Sequence, residues 1–422
     1  MYYKAKTGII SILNMGYTKI ALKGVSWMSS FRVVSRGLSF VKIAVLARVL
    51  TPSQFGVFGV ASLVLTLLEI FLETGINIIL IQVKKDIKDY VDSAWTLSII
   101  RGIIISLAII ISAPFVASFF RTPDALGILL FISIVPFIRG FINPAEVKFR
   151  KELNFNYEFW FRTSIFFVDA VVSIIFSLLT HSVYSLVFGL LAGAILEVVV
   201  SFVLIKPTPK FTFRNSYLKE IFHKGKWITA YGIFNYFGEN GDNIVVGRIL
   251  GASSLGLYQM AYKLSILPIS EVSDVVSGVV FPVYSKIEGD QKRLVTAFIK
   301  TMISIVLGAI LVGGILFAFP TQIVSIALGP QWLSIVPIIK VLVVFGVLRT
   351  ISGPSSAVFL ARGKQNYVTA MTFARSAVLI VAIFPLVSAY GMIGAAYAQI
   401  FSAIVEYPVI LFLFYKTFKK TI

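Results

Sequence analysis

The chain has 422 residues, 58% of them hydrophobic and only 14% charged, where a soluble domain carries about 25% charged residues. A mean hydropathy of +0.91 cannot be hidden in a soluble core, because a globule must still cover itself with polar groups; the chain reads as an integral membrane protein. With no cysteine and only His181 and His223 as histidines, thiol chemistry, disulfides and Cys/His zinc sites are excluded or starved of ligands, and a net charge of +19 carried in short loops points to lipid headgroups and not to nucleic acid.

Apolar runs between charged breaks predict about twelve membrane-crossing helices. The first six fall near 21–47, 57–82, 93–119, 126–147, 157–180 and 183–205. The second six fall near 228–250, 257–283, 296–319, 334–359, 366–388 and 391–415. The first run is too long and too interrupted by charge for a cleavable signal peptide. Basic residues alternate in the loops. One side holds groups such as Lys84 and Lys85, Lys148 to Lys151, Lys206 to Lys226, Lys292 and Arg293, and Lys416 to Lys420, while the other holds only Arg48, Arg121 and Arg248. The loop-charge rule makes the first side cytoplasmic and places both termini there, and the expected location is the cell (inner) membrane. The polar stretch 206–227, opening on Lys206-Pro207-Thr208-Pro209-Lys210, divides the chain into an N-lobe (1–205) and a C-lobe (228–422) joined by a cytoplasmic linker. No loop is long enough to hold a catalytic domain.

The chain repeats itself at an offset of 200 residues. Arg48-Val-Leu-Thr-Pro-Ser-Gln-Phe-Gly56 lies over Arg248-Ile-Leu-Gly-Ala-Ser-Ser-Leu-Gly256, and Ala61 over Ala261. Each copy joins the first and second helices of its half. Because each half has an even number of helices, the halves are expected to share one orientation, related by a pseudo-two-fold along the membrane normal. The fold class expected is therefore all-α and polytopic, with two six-helix lobes.

The segments Ala47–Gly59, Gly247–Tyr262 and the basic-aromatic Val147–Phe155 resemble polysaccharide flippases of the Wzx kind, in the multidrug/oligosaccharidyl-lipid/polysaccharide exporter superfamily. The resemblance runs over nearly the whole chain. It implies a central cavity between two lobes and transfer of undecaprenyl-diphosphate-linked oligosaccharide to the outer leaflet. It also implies a polyprenyl-diphosphate-linked oligosaccharide and membrane lipid as partners, with polysaccharide polymerase and chain-length machinery as candidates, and no cofactor.

Ionisable residues at membrane depth cost about 2.5 to 3.5 kcal/mol each on insertion scales, so they should face protein or water. On the first helix, Ser29, Arg32, Ser35, Arg36, Ser39 and Lys42 fall within an arc of roughly 140° at about 100° per residue. This cationic stripe suits a diphosphate, because guanidinium forks match phosphate oxygens. Arg32 and Arg36 are the leading substrate-binding residues, with Lys42, Lys263, Arg349 and Arg375 as further cavity candidates. The resemblance implies the same for first-helix arginines. A competing reading pairs Arg32 and Arg36 with acids of the second helix, merely holding the lobe together.

Glu69 and Glu73 lie four apart on the second helix and could neutralise the stripe, carry a coupling proton or pair structurally. In the second half Glu239 and Asp242 share one face, as do Lys263 and Asp274, with Glu271 beside them. Coupling sites and interlobe ion pairs both fit these acids. A multidrug or organic-cation exporter of the same superfamily is the alternative function, disfavoured by the basic first helix. A membrane glycosyltransferase or polymerase is a further alternative, disfavoured by outer loops almost free of acids and metal ligands.

Overall fold

In a computed structural model the described residues are 2–71, 88–212 and 215–419. They are mostly helical, with no strand among them. Helix α1 covers Tyr2–Val49 and α2 Pro52–Phe71. Then come α3 (Lys88–Phe119), the short α4 (Ala125–Ile132) and α5 (Ile134–Arg139), a 3₁₀ turn at Pro144–Val147 and the single turn α6 (Lys148–Lys151). Helices α7 (Phe155–Thr180) and α8 (Tyr184–Leu204) complete the first half. The second half has α9 (Asn215–Lys286), α10 (Gln291–Ala318), α11 (Pro320–Ala327), a 3₁₀ turn at Pro330–Ile335, α12 (Val336–Arg349), α13 (Ser352–Ala361) and α14 (Gln365–Phe418).

Among the described residues eight helices are long and apolar enough to cross a membrane, and the α4–α5 and Pro144–Lys151 segments, bent by 69°, make nine if they are counted as one broken span. Two of the eight exceed one crossing. A helix of 54 residues such as α14 would extend about 80 Å, against a hydrocarbon layer of about 30 Å. Both long helices are broken once by a glycine in the left-handed region, Gly251 at φ 85° in α9 and Gly391 at φ 60° in α14. Only glycine adopts that conformation without a Cβ penalty. With each counted as two arms, and with α1 whose charges lower its apolar score, the described residues supply the twelve helices expected. Most ends differ from the sequence reading by a few residues, but α1 begins at Tyr2 and not near 21, and α9 at Asn215 and not near 228, both running on into polar sequence. Of the expected linker, 205–212 is extended chain, while helix already begins at Asn215. The extended part is tied down: Asn143 donates to the Ile205 and Pro207 carbonyls, the Lys210 amide donates to Asp92, and the Thr212 amide to Thr96.

The chain separates into two compact units. The first is 1–50, 64–116 and 124–233; the second is 51–63, 117–123 and 234–422. In the first, α7 packs along both α1 and α8, with Trp27 against Phe159 and Phe31 against Phe166. In the second, α12 packs on α14 and α10, and an apolar cluster gathers Tyr284, Leu294, Val358, Ala361 and Phe418.

The repeat seen in the sequence is expressed as a reciprocal contact inside the second unit. Helix α2 starts at a capping box: the Gln54 amide donates to Thr51 Oγ1, and the Thr51 amide donates back to Gln54 Oε1 at 2.8 Å, satisfying two amide groups at the helix start. Pro52 at the first helical position has no amide to leave unpaired. A Cβ placed on Gly56 would overlap the Ala252 carbonyl, and one on Gly256 would overlap the Pro52 carbonyl. Positions 52 and 252, 56 and 256, thus exchange partners across the pair, and Ala61 and Ala261 are both fully buried. Small residues here let the two backbones touch.

Because the obstructing atoms are backbone, Gly56→Ala and Gly256→Ala are each expected to cost about 1–3 kcal/mol by overpacking. Gly314→Ala, on α10 with nothing near its Cβ, should be neutral or stabilising. Thermal unfolding of the detergent-purified variants, followed by loss of the monodisperse peak, reads this ranking directly.

Candidate functional site

Each unit contains its own network of charges. In the first unit a cavity of about 480 Å³ is lined by Glu69, Arg101, Arg139, Glu146, Arg162, Asp169 and Glu197, with Ser98 and the Gly102 and Gly140 backbones. Five elements build it. Helix α2 brings Glu69, α3 brings Arg101, the bend after α5 brings Arg139 and Glu146, and α7 and α8 bring Arg162, Asp169 and Glu197. Its walls can come this close because Gly102 faces the Pro136 carbonyl and Gly140 the Ser98 carbonyl.

Arg139 reaches Glu69 at 3.4 Å and Glu197 at 3.9 Å. Arg162 holds Glu158 at 3.0 Å one turn away and approaches Glu146 at 4.0 Å. Arg150 donates to the same Glu158 oxygen at 2.6 Å. Each arginine therefore bridges two acids or shares one, so charges are compensated as a network and not as isolated pairs. Lys42 leaves this network for Asp169, its ammonium 2.8 Å from both carboxylate oxygens. Further along the stripe, Arg32 and Arg36 are exposed, as is Ser29. A side chain exposed at membrane depth is compatible with its charge only where water or another polar group meets it.

In the second unit one carboxylate gathers two arginines. Arg349 Nη2 lies 2.8 Å from both oxygens of Glu239, and Arg375 Nη2 lies 2.8 Å from Glu239 Oε1. Arg349 also donates from Nη1 to the Tyr262 hydroxyl at 2.8 Å, with its guanidinium 5.9 Å from the centre of the Phe345 ring. One turn further along α9, Asp242 is fully buried and held by neutral donors. Tyr258 donates to its Oδ2 at 2.8 Å and Gln399 at 2.7 Å, while the Asn243 amide donates to Oδ1. Glu406 accepts from Ser352 at 2.9 Å.

Of the residues singled out in the sequence, Arg349, Arg375 and Glu239 come together in one triad, with Asp242 adjacent. Glu69 joins the first-unit cavity through Arg139, an arginine of the α5 bend and not of α1. Lys263 is exposed and Glu271 half-buried on the second arm of α9, and neither enters the triad. Glu73 and the side chain of Asp274 lie outside the described residues. Arg101, Arg139, Arg162 and Glu197 are recognisable in the sequence as charges at membrane depth but carry no spacing that joins them. Glu146, Glu158, Tyr258 and Gln399 have no sequence signal: the first two sit in a polar loop or at a helix start, and the others are neutral. Among the described residues no group of three or more His, Asp and Glu is gathered that could hold a metal ion.

Two units of apolar, membrane-length helices carrying buried, compensated charges define a polytopic membrane protein. The chain belongs to the polysaccharide biosynthesis protein family, which it matches over residues 45–337, in agreement with the motifs at 47–59 and 247–262. Among curated relatives it is 25% identical over 367 residues to the lipopolysaccharide biosynthesis protein WzxC of Escherichia coli, covering 83% of this chain and 72% of that one. It is 24% identical to the teichuronic acid biosynthesis protein TuaB of Bacillus subtilis, covering 83% and 73%. The fold is that of a solved structure of the lipid II flippase MurJ in an inward closed conformation, with a TM-score of 0.75 at 19% identity over 91% of this chain and 86% of that one.

The Lys42–Asp169 pair is open to a direct measurement. Removing one partner leaves a charge uncompensated in a low-dielectric setting, whereas removing both is far less harmful. Lys42→Met and Asp169→Leu should each destabilise the protein, and the double variant should recover much of the loss. A double-mutant cycle on unfolding in detergent is expected to show coupling on the order of 1–3 kcal/mol; additive losses would mean the pair is not formed.

Proposed function

We propose that this protein is a flippase that moves polyprenyl-diphosphate-linked oligosaccharide units across the cytoplasmic membrane by alternating access, supplying surface polysaccharide synthesis. The observation that carries the proposal is the pair Arg32 and Arg36, exposed one turn apart on a membrane helix. Two guanidinium groups at that spacing can share a diphosphate, whose charge and acceptor oxygens they match bidentately, while the polyprenyl tail stays in lipid. An organic-cation exporter would place acids, not arginines, on such a face.

The relatives support the same reading: lipopolysaccharide, teichuronic acid and lipid II all concern glycans built or carried at the membrane. In this reading the basic loops are cytoplasmic and both termini lie on that side. The two halves of the chain act as the moving lobes, and the first-unit charge network supplies a rigid wall behind α1. The acids of the second unit serve as coupling sites or interlobe ion-pair partners. Polymerase and chain-length machinery would receive the product on the outer face.

The test is deletion of the gene in its native host, with surface polymer and lipid-linked precursor measured together. Deletion should abolish or strongly reduce surface polymer and accumulate precursor on the cytoplasmic leaflet, and the wild-type gene should restore both. Arg32→Ala/Arg36→Ala, inserted in the membrane at normal level, should fail to restore them. Unchanged polymer with new drug sensitivity would overturn the flippase reading in favour of drug export.

A further inference from the structure

In the first unit Arg150 and Arg162 share Glu158, whose side chain is only 4% exposed. In the second, Arg349 and Arg375 share Glu239, an acid that is far more open. The other two carboxyls nearby do not relieve this, because each is already engaged by neutral donors: Glu406 by Ser352, and Asp242 by Tyr258, Gln399 and the Asn243 amide. Access also separates them. The Glu239 side chain is 31% exposed and that of Arg349 28%, whereas Asp242 is fully enclosed. The most accessible carboxyl of the group is thus the one that two guanidinium groups grip.

We propose that the Glu239 carboxylate is a built-in stand-in for phosphate: it holds the anion position between Arg349 and Arg375 in the unloaded protein, and a phosphate of the lipid-linked diphosphate takes that position by displacing it. The inference rests on the flippase reading and names the second-unit residues that would hold the headgroup. The arginines are prepared for such an exchange. Arg349 is fixed by the Tyr262 hydroxyl through Nη1 and by the Phe345 ring beneath its plane, which leaves Nη2 aimed at the shared anion. Three donor contacts now converge on the two oxygens of one carboxylate, with Oε1 receiving two of them. A terminal phosphate offers three oxygens and more charge, so it can serve both forks at once.

Exchange solves an electrostatic difficulty of transport. Two desolvated guanidinium groups without a counter-charge would be strongly destabilised. A permanently bound phosphate would not be released. With Glu239 on a mobile side chain, the arginines have an anion in both the empty and the loaded protein, and the returning carboxylate drives the phosphate out. Glu239 therefore lowers affinity in order to permit turnover. The charged and titratable groups that face it are Arg349 from α12, Arg375 and Glu406 from α14, and Asp242, Tyr258 and Tyr262 from the two arms of α9.

The test is binding of geranylgeranyl diphosphate to the full-length protein in detergent micelles by calorimetry, with geranylgeranyl monophosphate alongside. Glu239→Gln keeps shape but removes the competing charge, and should bind the diphosphate about tenfold more tightly, the size expected for losing one competing ion pair. Glu239→Asp withdraws the carboxylate by one methylene and should bind more tightly by about threefold; it serves should the glutamine variant not fold. Arg349→Gln and Arg375→Gln should each weaken binding by about tenfold or more. If wild type binds the diphosphate but monodisperse Glu239→Gln or Glu239→Asp binds it equally or less well, the carboxylate is a structural partner and the inference fails while the flippase reading stands. If wild type and every variant bind neither lipid, the inference and the flippase reading fall together.

Discussion

A charge placed in hydrocarbon must find a partner, and that constraint organises most of what is specific in this protein. The helices themselves need little explanation, since any run of about twenty apolar residues satisfies its backbone internally and sits in lipid. What distinguishes this bundle is the set of arginines, lysines and acids that such helices carry. In the first unit they are gathered around one cavity, where Arg139 and Arg162 each reach two acids. In the second they close on Glu239. A network of this kind tolerates the loss or movement of one partner better than a lone pair, because the remaining charges still compensate each other.

The same constraint separates structural from functional charges. Lys42 and Asp169 meet at 2.8 Å, and nothing about that geometry asks for a ligand. Arg32 and Arg36, on the same face of the same helix, stay exposed. One stripe in the sequence thus serves two ends in the fold: a strut at Lys42 and solvent-accessible arginines along its middle. Lys42 of α1 engages an acid of α7, and Glu69 of α2 meets Arg139 in the wall of the cavity.

Backbone contacts impose a second, smaller constraint. Where residues 52–56 meet 252–256, the helices approach until carbonyls fill the space a Cβ would need. The repeated glycine is required by that contact, and the reciprocal exchange of partners is what a duplicated sequence produces when its two copies meet. The breaks at Leu50–Thr51 and at Gly251 occupy matching positions, one made by a capping box and the other by a left-handed glycine. Different chemistry serves the same turn in the two copies.

The membrane class, the number of crossings, the repeat and the family were legible in the sequence, because each is a one-dimensional property. Apolar length, loop charge and an offset of 200 residues can be counted without knowing which helices are neighbours. The arginine Arg349, the arginine Arg375 and Glu239 were also recognisable individually as charges too costly to leave in lipid. Which of them would meet was not, since 110 and 136 residues separate the partners and helical periodicity carries no information over such distances. Glu158, Tyr258 and Gln399 acquire their roles only from the side chains they face. The sequence by itself determined that charges are buried in this membrane protein; only the packing of helices decided which of them meet and which carboxylates stand between two arginines.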